Sequence, residues 1–240
     1  MKNTKEKRAP EQIDKEALYE AERRYFKSEA RAQKNEDGKM VIGGYGAVFN
    51  QYTNMGWYAE VVMPGFFDGI KDDRCACLFN HDESSVLGRK KNGTLTLKID
   101  GDGLDYTSTL PSHRTDVYEL VEDGYIYESS FAFTTSVSKW AEVDRSELAG
   151  KLSDADLDQL TYGGKISVRY LEKGRELFDV SPVTYGAYQG TSTDTRVAKR
   201  SFEMWKAQQE EAPAPPQTED EPPAKNHRLR IAEALERAAS

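Results

Sequence analysis

The chain is short of cysteine and histidine and has no long apolar run, and each shortage narrows what it can be. Only two cysteines occur in 240 residues. Cys75 and Cys77 stand two apart in a strand-like run, which puts them on one face without the geometry for a mutual disulfide, so they read as small buried hydrophobes. Three histidines leave few metal ligands. Cys-x-Cys followed by His81 fits none of the common zinc spacings, so neither a metal nor another cofactor is expected. No stretch approaches the roughly 18 consecutive apolar residues of a membrane helix. The charged opening MKNTKEKRAP has no apolar signal core, so the expectation is a protein that stays in the cytoplasm that makes it, without a membrane partner. Positive charge is also in the minority: 33 Lys and Arg against 41 Asp and Glu give a net charge of -8. The clustered cations that phosphate binding needs are diluted, so the expected partner is protein rather than nucleic acid.

A chain of this length holds one ordinary domain plus tails. A hydrophobic content of 38% with 31% charged residues fits a soluble globular core carrying polar extensions. Residues 9–24 mix Ala, Leu, Glu and Arg, with Pro10 near a first turn, and predict a helix within a charged arm over 1–30. From Lys39 the texture changes to β-branched residues, aromatics and glycines. Strands are predicted at 40–49, 59–63, 75–79, 94–99, 104–110, 126–137, 165–170 and 177–184, separated by turns such as Lys91-Asn92-Gly93, Asp100-Gly101-Asp102-Gly103 and Glu172-Lys173-Gly174. Short helices are predicted at 64–70, 115–123 and 153–162, the last capped by Ser153. The fold class is therefore mainly β with peripheral helices, and many short strands at this spacing suggest a barrel or sandwich.

The domain is expected over 31–200. Residues 201–225 hold five of the nine prolines and a cluster of acids, the composition of a disordered linker. Beyond it, 226–240 place Leu229, Ile231, Leu235 and Ala238 near helical spacing. A helix that short is marginal alone, so it either docks on a partner or frays.

A β-rich domain with few histidines directs the search to a nucleophile and a base brought together by folding. His81 ends the run CACLFNHD, where a strand meets a polar loop. His113 lies in a turn before a helix and His227 in the tail. Lone histidines are more often incidental than catalytic. Ser130 lies in IYESSFAFTTSV, where alternation puts it with Glu128, Ala132 and Thr134 on one face and Ser129, Phe131 and Phe133 on the other. Serine at such a position is ordinarily a filler. Asp179 lies in the apolar run LFDVSPV, and a carboxylate there needs a partner, either an arginine such as Arg169 or Arg175 or the imidazole of His81.

In order and in kind, these segments resemble the prohead protease family of tailed phages, related to the herpesvirus assembly proteases. GYGAVFNQY is similar to its opening strand and EVVMPGFFDGI to its Glu-x-Ile-x-Pro-Gly-Ala-Phe segment. LFNHD with Leu87-Gly88-Arg89 is similar to the Asn-His-Asp element and its following Leu-Gly-Arg, and GTLTLKIDGDGLDY to the next hairpin. SSFAF resembles the Ser-Phe-Gly-Phe nucleophile strand and DVSPVTYGAYQGT the late Glu-Val-Ser-x-Val element. The likeness spans about 31–200.

The resemblance implies an antiparallel β-barrel of the herpesvirus-protease type and a serine endopeptidase with His81 as base, Ser130 as nucleophile and Asp179 as the orienting acid. It implies the major capsid protein and scaffold as partners and substrates, self-cleavage, a place inside the procapsid, and a homodimer by analogy with the herpesvirus relatives. This chain departs from the pattern with Ala132 where Gly is common, Asp179 where Glu is common and Gly186 where Pro is common. His113 precedes Ser130, so it does not match the second histidine of the herpesvirus enzymes. The contrasting reading is a non-catalytic β-barrel adaptor in capsid assembly. An α/β esterase is disfavoured, because the chain has no Gly-x-Ser-x-Gly elbow and no regular βα alternation.

Overall fold

A computed structural model describes residues 21–26, 30–185 and 193–211. Eleven strands are present among them: β1 (Glu22–Phe26), β2 (Arg31–Lys34), β3 (Met40–Val48), β4 (Tyr52–Asn54), β5 (Ala59–Val62), β6 (Ala76–Phe79), β7 (Asp82–Arg89), β8 (Leu95–Ile99), β9 (Gly103–Thr109), β10 (Glu128–Asp144) and β11 (Lys165–Val183). The helices are α1 (Thr115–Glu122), α2 (Asp154–Leu160) and α3 (Thr193–Glu211). The mainly β expectation holds, but the strands form two sheets that do not close into a barrel. One sheet has seven strands on the path β1-β10-β11-β5-β4, with β6 and β7 attached through β11, and the other has four in the order β2-β3-β9-β8. Nor is the pairing wholly antiparallel, since β11 runs parallel to both β5 and β6.

The principal core fills the space where Phe66, Phe67, Phe131, Phe133, Tyr106, Leu177 and Val180 meet. A smaller cluster lies around Val61, Leu148, Leu157, Ile166 and Val168. Phe131 and Phe133, two apart on β10, stack with ring centroids 4.5 Å apart, because alternate strand residues share a face. Ser130 and Ala132 consequently face the other side of the sheet. Gly88 marks a close approach of β7 to the second sheet. A Cβ there would stand 2.1 Å from the Ser108 hydroxyl oxygen, which bonds the Leu87 carbonyl.

Several elements differ from expectation. The predicted helix over 9–24 extends into residues that form β1; its part before residue 21 lies outside the described residues. The segment 64–70 is a run of turns rather than a helix. Residues 165–170 and 177–183 belong to one continuous strand that runs through the predicted turn at Lys173-Gly174. Residues 201–211, placed in the linker, belong to α3, and the rest of the linker and the helix at 226–240 lie outside the described residues. By contrast, α1 sits where predicted, and the Ser153 hydroxyl caps α2 by accepting from the Asp156 amide.

The missed strand β1 explains itself through its charges. Its sequence ERRYF turns Glu22 and Arg24 toward the core face, opposite Phe133 and Phe131. There they join Glu60 of β5 and Arg169 of β11 in a buried cluster of two acids and two bases. Arg169 Nη1 donates to Glu22 at 2.7 Å and to Glu60 at 3.1 Å, Arg24 is ion-paired with both acids, and Thr135 donates to Glu22 at 3.0 Å. Burial alone would raise the Glu22 pKa, yet the two guanidiniums outweigh it and hold the carboxyl at about 2. Buried charge persists only when paired in this way.

Candidate active site

The turn that carries His81 is a two-residue hairpin. Phe79 of β6 pairs with Asp82 of β7, and the two residues between them, Asn80 and His81, have φ values of 53° and 58°. Positive φ at both central positions is the pattern of a type I′ turn, whose twist matches that of the flanking strands, and Asn and His are among the side chains that tolerate it. Asn80 ties the turn to the end of β11. Its backbone amide donates to the Pro182 carbonyl at 3.1 Å, its side-chain amide to Thr184 Oγ1 at 3.1 Å, and its side-chain oxygen accepts from the Thr184 amide at 2.8 Å. The imidazole is thereby held over β10 and β11.

There it meets the other two sequence candidates. His81 Nε2 lies 2.6 Å from Ser130 Oγ, and His81 Nδ1 lies 2.6 Å from Asp179 Oδ1. A carboxylate can only accept, so Nδ1 carries the hydrogen, and the bare Nε2 accepts from the Ser130 hydroxyl. Ser181, opposite Ser130 in the ladder, donates its hydroxyl to the same Asp179 oxygen at 2.7 Å and lies 3.4 Å from Nδ1. The Tyr25 ring of β1 stands edge-on to the imidazole, with centroids 5.9 Å apart. Of the partners considered for Asp179, the imidazole is the one the fold supplies; Arg169 belongs to the buried charge cluster.

A β-bulge makes this meeting possible. Residues two apart on a regular strand share a face, so Leu177 and Asp179 would point the same way. Between the pairs Ala132–Asp179 and Phe133–Leu177 the register shifts, and Phe178 is the extra residue. Leu177 therefore enters the core while Asp179 points to the opposite face, the re-aiming that bulges perform beside functional sites. The two adjacent serines separate by the alternation of β10. Ser129 faces the core, 3.1 Å from the Tyr106 hydroxyl, and Ser130 faces His81.

Among the described residues, no other histidine or cysteine bonds to this group. His113 is exposed in the turn before α1, and His227 lies outside the described residues. Cys75 and Cys77 are buried behind the site. Burial pushes the Cys77 thiol up to about 12 and that of Cys75 higher, so both stay protonated and unreactive. Among the described residues no group of three or more His, Cys, Asp or Glu side chains is arranged to hold a metal ion. Ser130 is fully buried, whereas His81 lines two clefts, one of about 310 Å³ toward Arg23, Arg89 and Phe178 and one of about 290 Å³ toward Tyr25, Val183 and Tyr185. The missed participants are Ser181 and Tyr25. The alternation Asp179-x-Ser181 is legible in sequence, but Tyr25 comes from a strand that reads as helix.

Comparison with known families matches residues 26–208 to the caudovirus prohead serine protease family. The chain belongs to that family. Its members are prohead proteases, so the chain is in general terms a phage capsid-maturation protease of the serine class, associated with the procapsid in a host cell and with capsid and scaffold proteins. The matched region of this prohead protease includes His81, Ser130 and Asp179 and most of α3. Comparison with curated proteins and with solved structures gave no match.

Proposed function

We propose that the chain is the endopeptidase that cuts scaffold, or the scaffold-like arm of the major capsid protein, and also itself, inside the procapsid assembling in the host cytoplasm, with Ser130 as nucleophile. The observation that carries this is the unbroken chain of short contacts Ser130–His81–Asp179–Ser181. His81 Nε2 takes the Ser130 proton as Oγ attacks the scissile carbonyl carbon, and the carbonyl π electrons move onto its oxygen. Collapse of the tetrahedral intermediate breaks the C–N bond, and the imidazolium returns its proton to the leaving amine. Water, deprotonated by the same nitrogen, then hydrolyses the acyl ester and restores Ser130. Asp179 holds the tautomer and stabilises the imidazolium, and Ser181 fixes the carboxylate. Asp179 is one methylene shorter than the family's common Glu, and it reaches the ring because the bulge at Phe178 aims it there. The acidic, proline-rich run 212–225 supplies a tether to scaffold and a site for self-cleavage.

The test is co-expression of the chain with its capsid and scaffold genes, comparing wild type, Ser130→Ala and His81→Ala, with product termini read by mass spectrometry. Defined products from wild type and none from either variant support the reading; the same products from all three sink it. One observation favours the alternative of a non-catalytic adaptor, namely that Ser130 has no exposed surface. An adaptor would assemble capsids equally well with Ser130→Ala.

A further inference from the structure

The strand register lays one row of residues across five strands: Arg23 (β1), Ala132 (β10), Asp179 (β11), Ala76 (β6) and Arg89 (β7), each paired with the next. Paired residues share a face, so this row lies on the same side of the sheet as Ser130. Ala132 is two residues from Ser130 along β10, a spacing of about 7 Å on a strand. The row is high at its ends and low between them, with arginines flanking alanines. The resulting depression is the 310 Å³ cleft, lined by Arg23, Arg89 and also Arg74, with Ala76 and Leu78 beneath and His81 and Asp179 at its edge.

The charges of this cleft are not evenly engaged. Of its carboxylates, Asp179 is bonded to His81 and Ser181, and Glu176 is paired with Lys71 at 3.4 Å. Glu83 is exposed and, among the described residues, in no ion pair, and Arg74 and Arg89 are likewise in none. Three guanidiniums thus line a cleft in which one carboxylate lacks an ion pair, on a protein of net charge -8. Counted formally, three arginines meet three carboxylates, so the cleft is locally neutral on an acidic protein, and Arg74 and Arg89 stand there without a carboxylate of the described residues as ion-pair partner. Guanidiniums bind carboxylates through charge-assisted, often bidentate hydrogen bonds, and the apolar floor of Ala76 and Leu78 suits the methylenes of a Glu side chain.

We infer that the cleft walled by Arg23, Arg74 and Arg89 is a substrate subsite that receives a glutamate or aspartate side chain of the cleaved peptide. The acidic residue lies within two or three positions of the scissile bond, because the cleft begins one row from the nucleophile. The inference rests on the protease reading above and assigns its substrate class: peptide segments with an acidic side chain near the cut. The chain itself carries such a segment in Glu219-Asp220-Glu221, which makes its own tail a candidate substrate.

The test separates the two claims by using covalent labelling of Ser130 with a fluorophosphonate probe. Labelling of the full chain is timed in the presence of decapeptide pools that fix either Glu or Gln at each position in turn. The expected result is protection by Glu at one or two positions, about tenfold stronger than by Gln, the effect of one charge-assisted hydrogen bond. In Arg74→Gln/Arg89→Gln, with protection expressed as the Glu-to-Gln ratio relative to that protein's own labelling rate without peptide, the preference for Glu should be lost. Labelling that Glu and Gln pools slow equally or not at all, or a preference that the double variant retains, overturns the subsite and leaves the protease reading standing. If Ser130 takes no label in either protein, the protease reading falls and the subsite with it.

Discussion

Ser130 and His81 are 49 residues apart in the chain and 2.6 Å apart in the fold, joined between Oγ and Nε2. If this contact performs the chemistry, Ser130→Ala and His81→Ala should each abolish peptide cleavage while leaving the thermal unfolding midpoint within a few degrees of wild type. Asp179→Asn keeps the shape but offers the ring the wrong partner, so cleavage should fall by about 10³- to 10⁴-fold. Retention of more than a tenth of the wild-type rate by Asp179→Asn would remove the acid from the mechanism.

Ser181 makes its shortest side-chain contact with Asp179, not with the imidazole. Its hydroxyl accounts for one hydrogen bond to the carboxylate at 2.7 Å, so Ser181→Ala should lower the cleavage rate by roughly 10-fold, in the range expected of a hydrogen bond to a charged group. Ser181→Thr keeps the hydroxyl and should recover most of that loss. Equal rates for the Ala and Thr variants would mean that the residue serves packing alone.

Asn80 has two separable duties, the backbone at φ 53° and the clamp to Thr184. Asn80→Gly loses the side-chain bonds but also takes the Cβ out of left-handed geometry; Asn80→Ala loses the bonds and keeps the Cβ there, without the local hydrogen bonding that lets Asn tolerate that conformation, at a cost of about 1–2 kcal/mol relative to Gly. The Gly variant should therefore be the more stable of the two in urea denaturation, and both should cleave more slowly than wild type because the imidazole is less firmly held.

The buried cluster of Glu22, Arg24, Glu60 and Arg169 predicts the response to acid. The folded pKa of Glu22 is depressed to about 2 from an ordinary value of 4.5, so its stabilising contribution is complete above pH 4.5 and drains away as the pH falls from there toward 2. Glu22→Gln leaves the two arginines with one carboxylate and should destabilise the fold by about 3–5 kcal/mol at pH 7. Urea midpoints measured from pH 7 to pH 3 check both claims: wild type should weaken over the acid range by more than the variant does.

Several features are legible from local patterning alone. Alternation in IYESSFAFTTSV sets Ser130 apart from Phe131 and Phe133, and the Ser153 cap announces α2. The apolar run ending at Asn80-His81 locates a polar turn. Where sequence and fold part, a tertiary cause is identifiable. In β1 the usual pattern is inverted, with charged residues inward, and only partners from β5 and β11 make that tolerable; taken alone, ERRYF suits a helix. For β7, the sequence DESSVLGR lacks apolar alternation, and the strand forms by pairing with β6.

The sequence by itself determined which residues are available for chemistry, their order along the chain and the mainly β character of the domain, because these depend on composition and short-range periodicity. Only the tertiary structure decided that Asp179 turns away from Leu177 toward His81, since a bulge is a property of two strands in register and not of one strand's pattern. It also decided that the sheets stay open and that Arg23, Arg74 and Arg89 converge on one cleft, because contacts among residues so far apart in the chain are set by strand pairing.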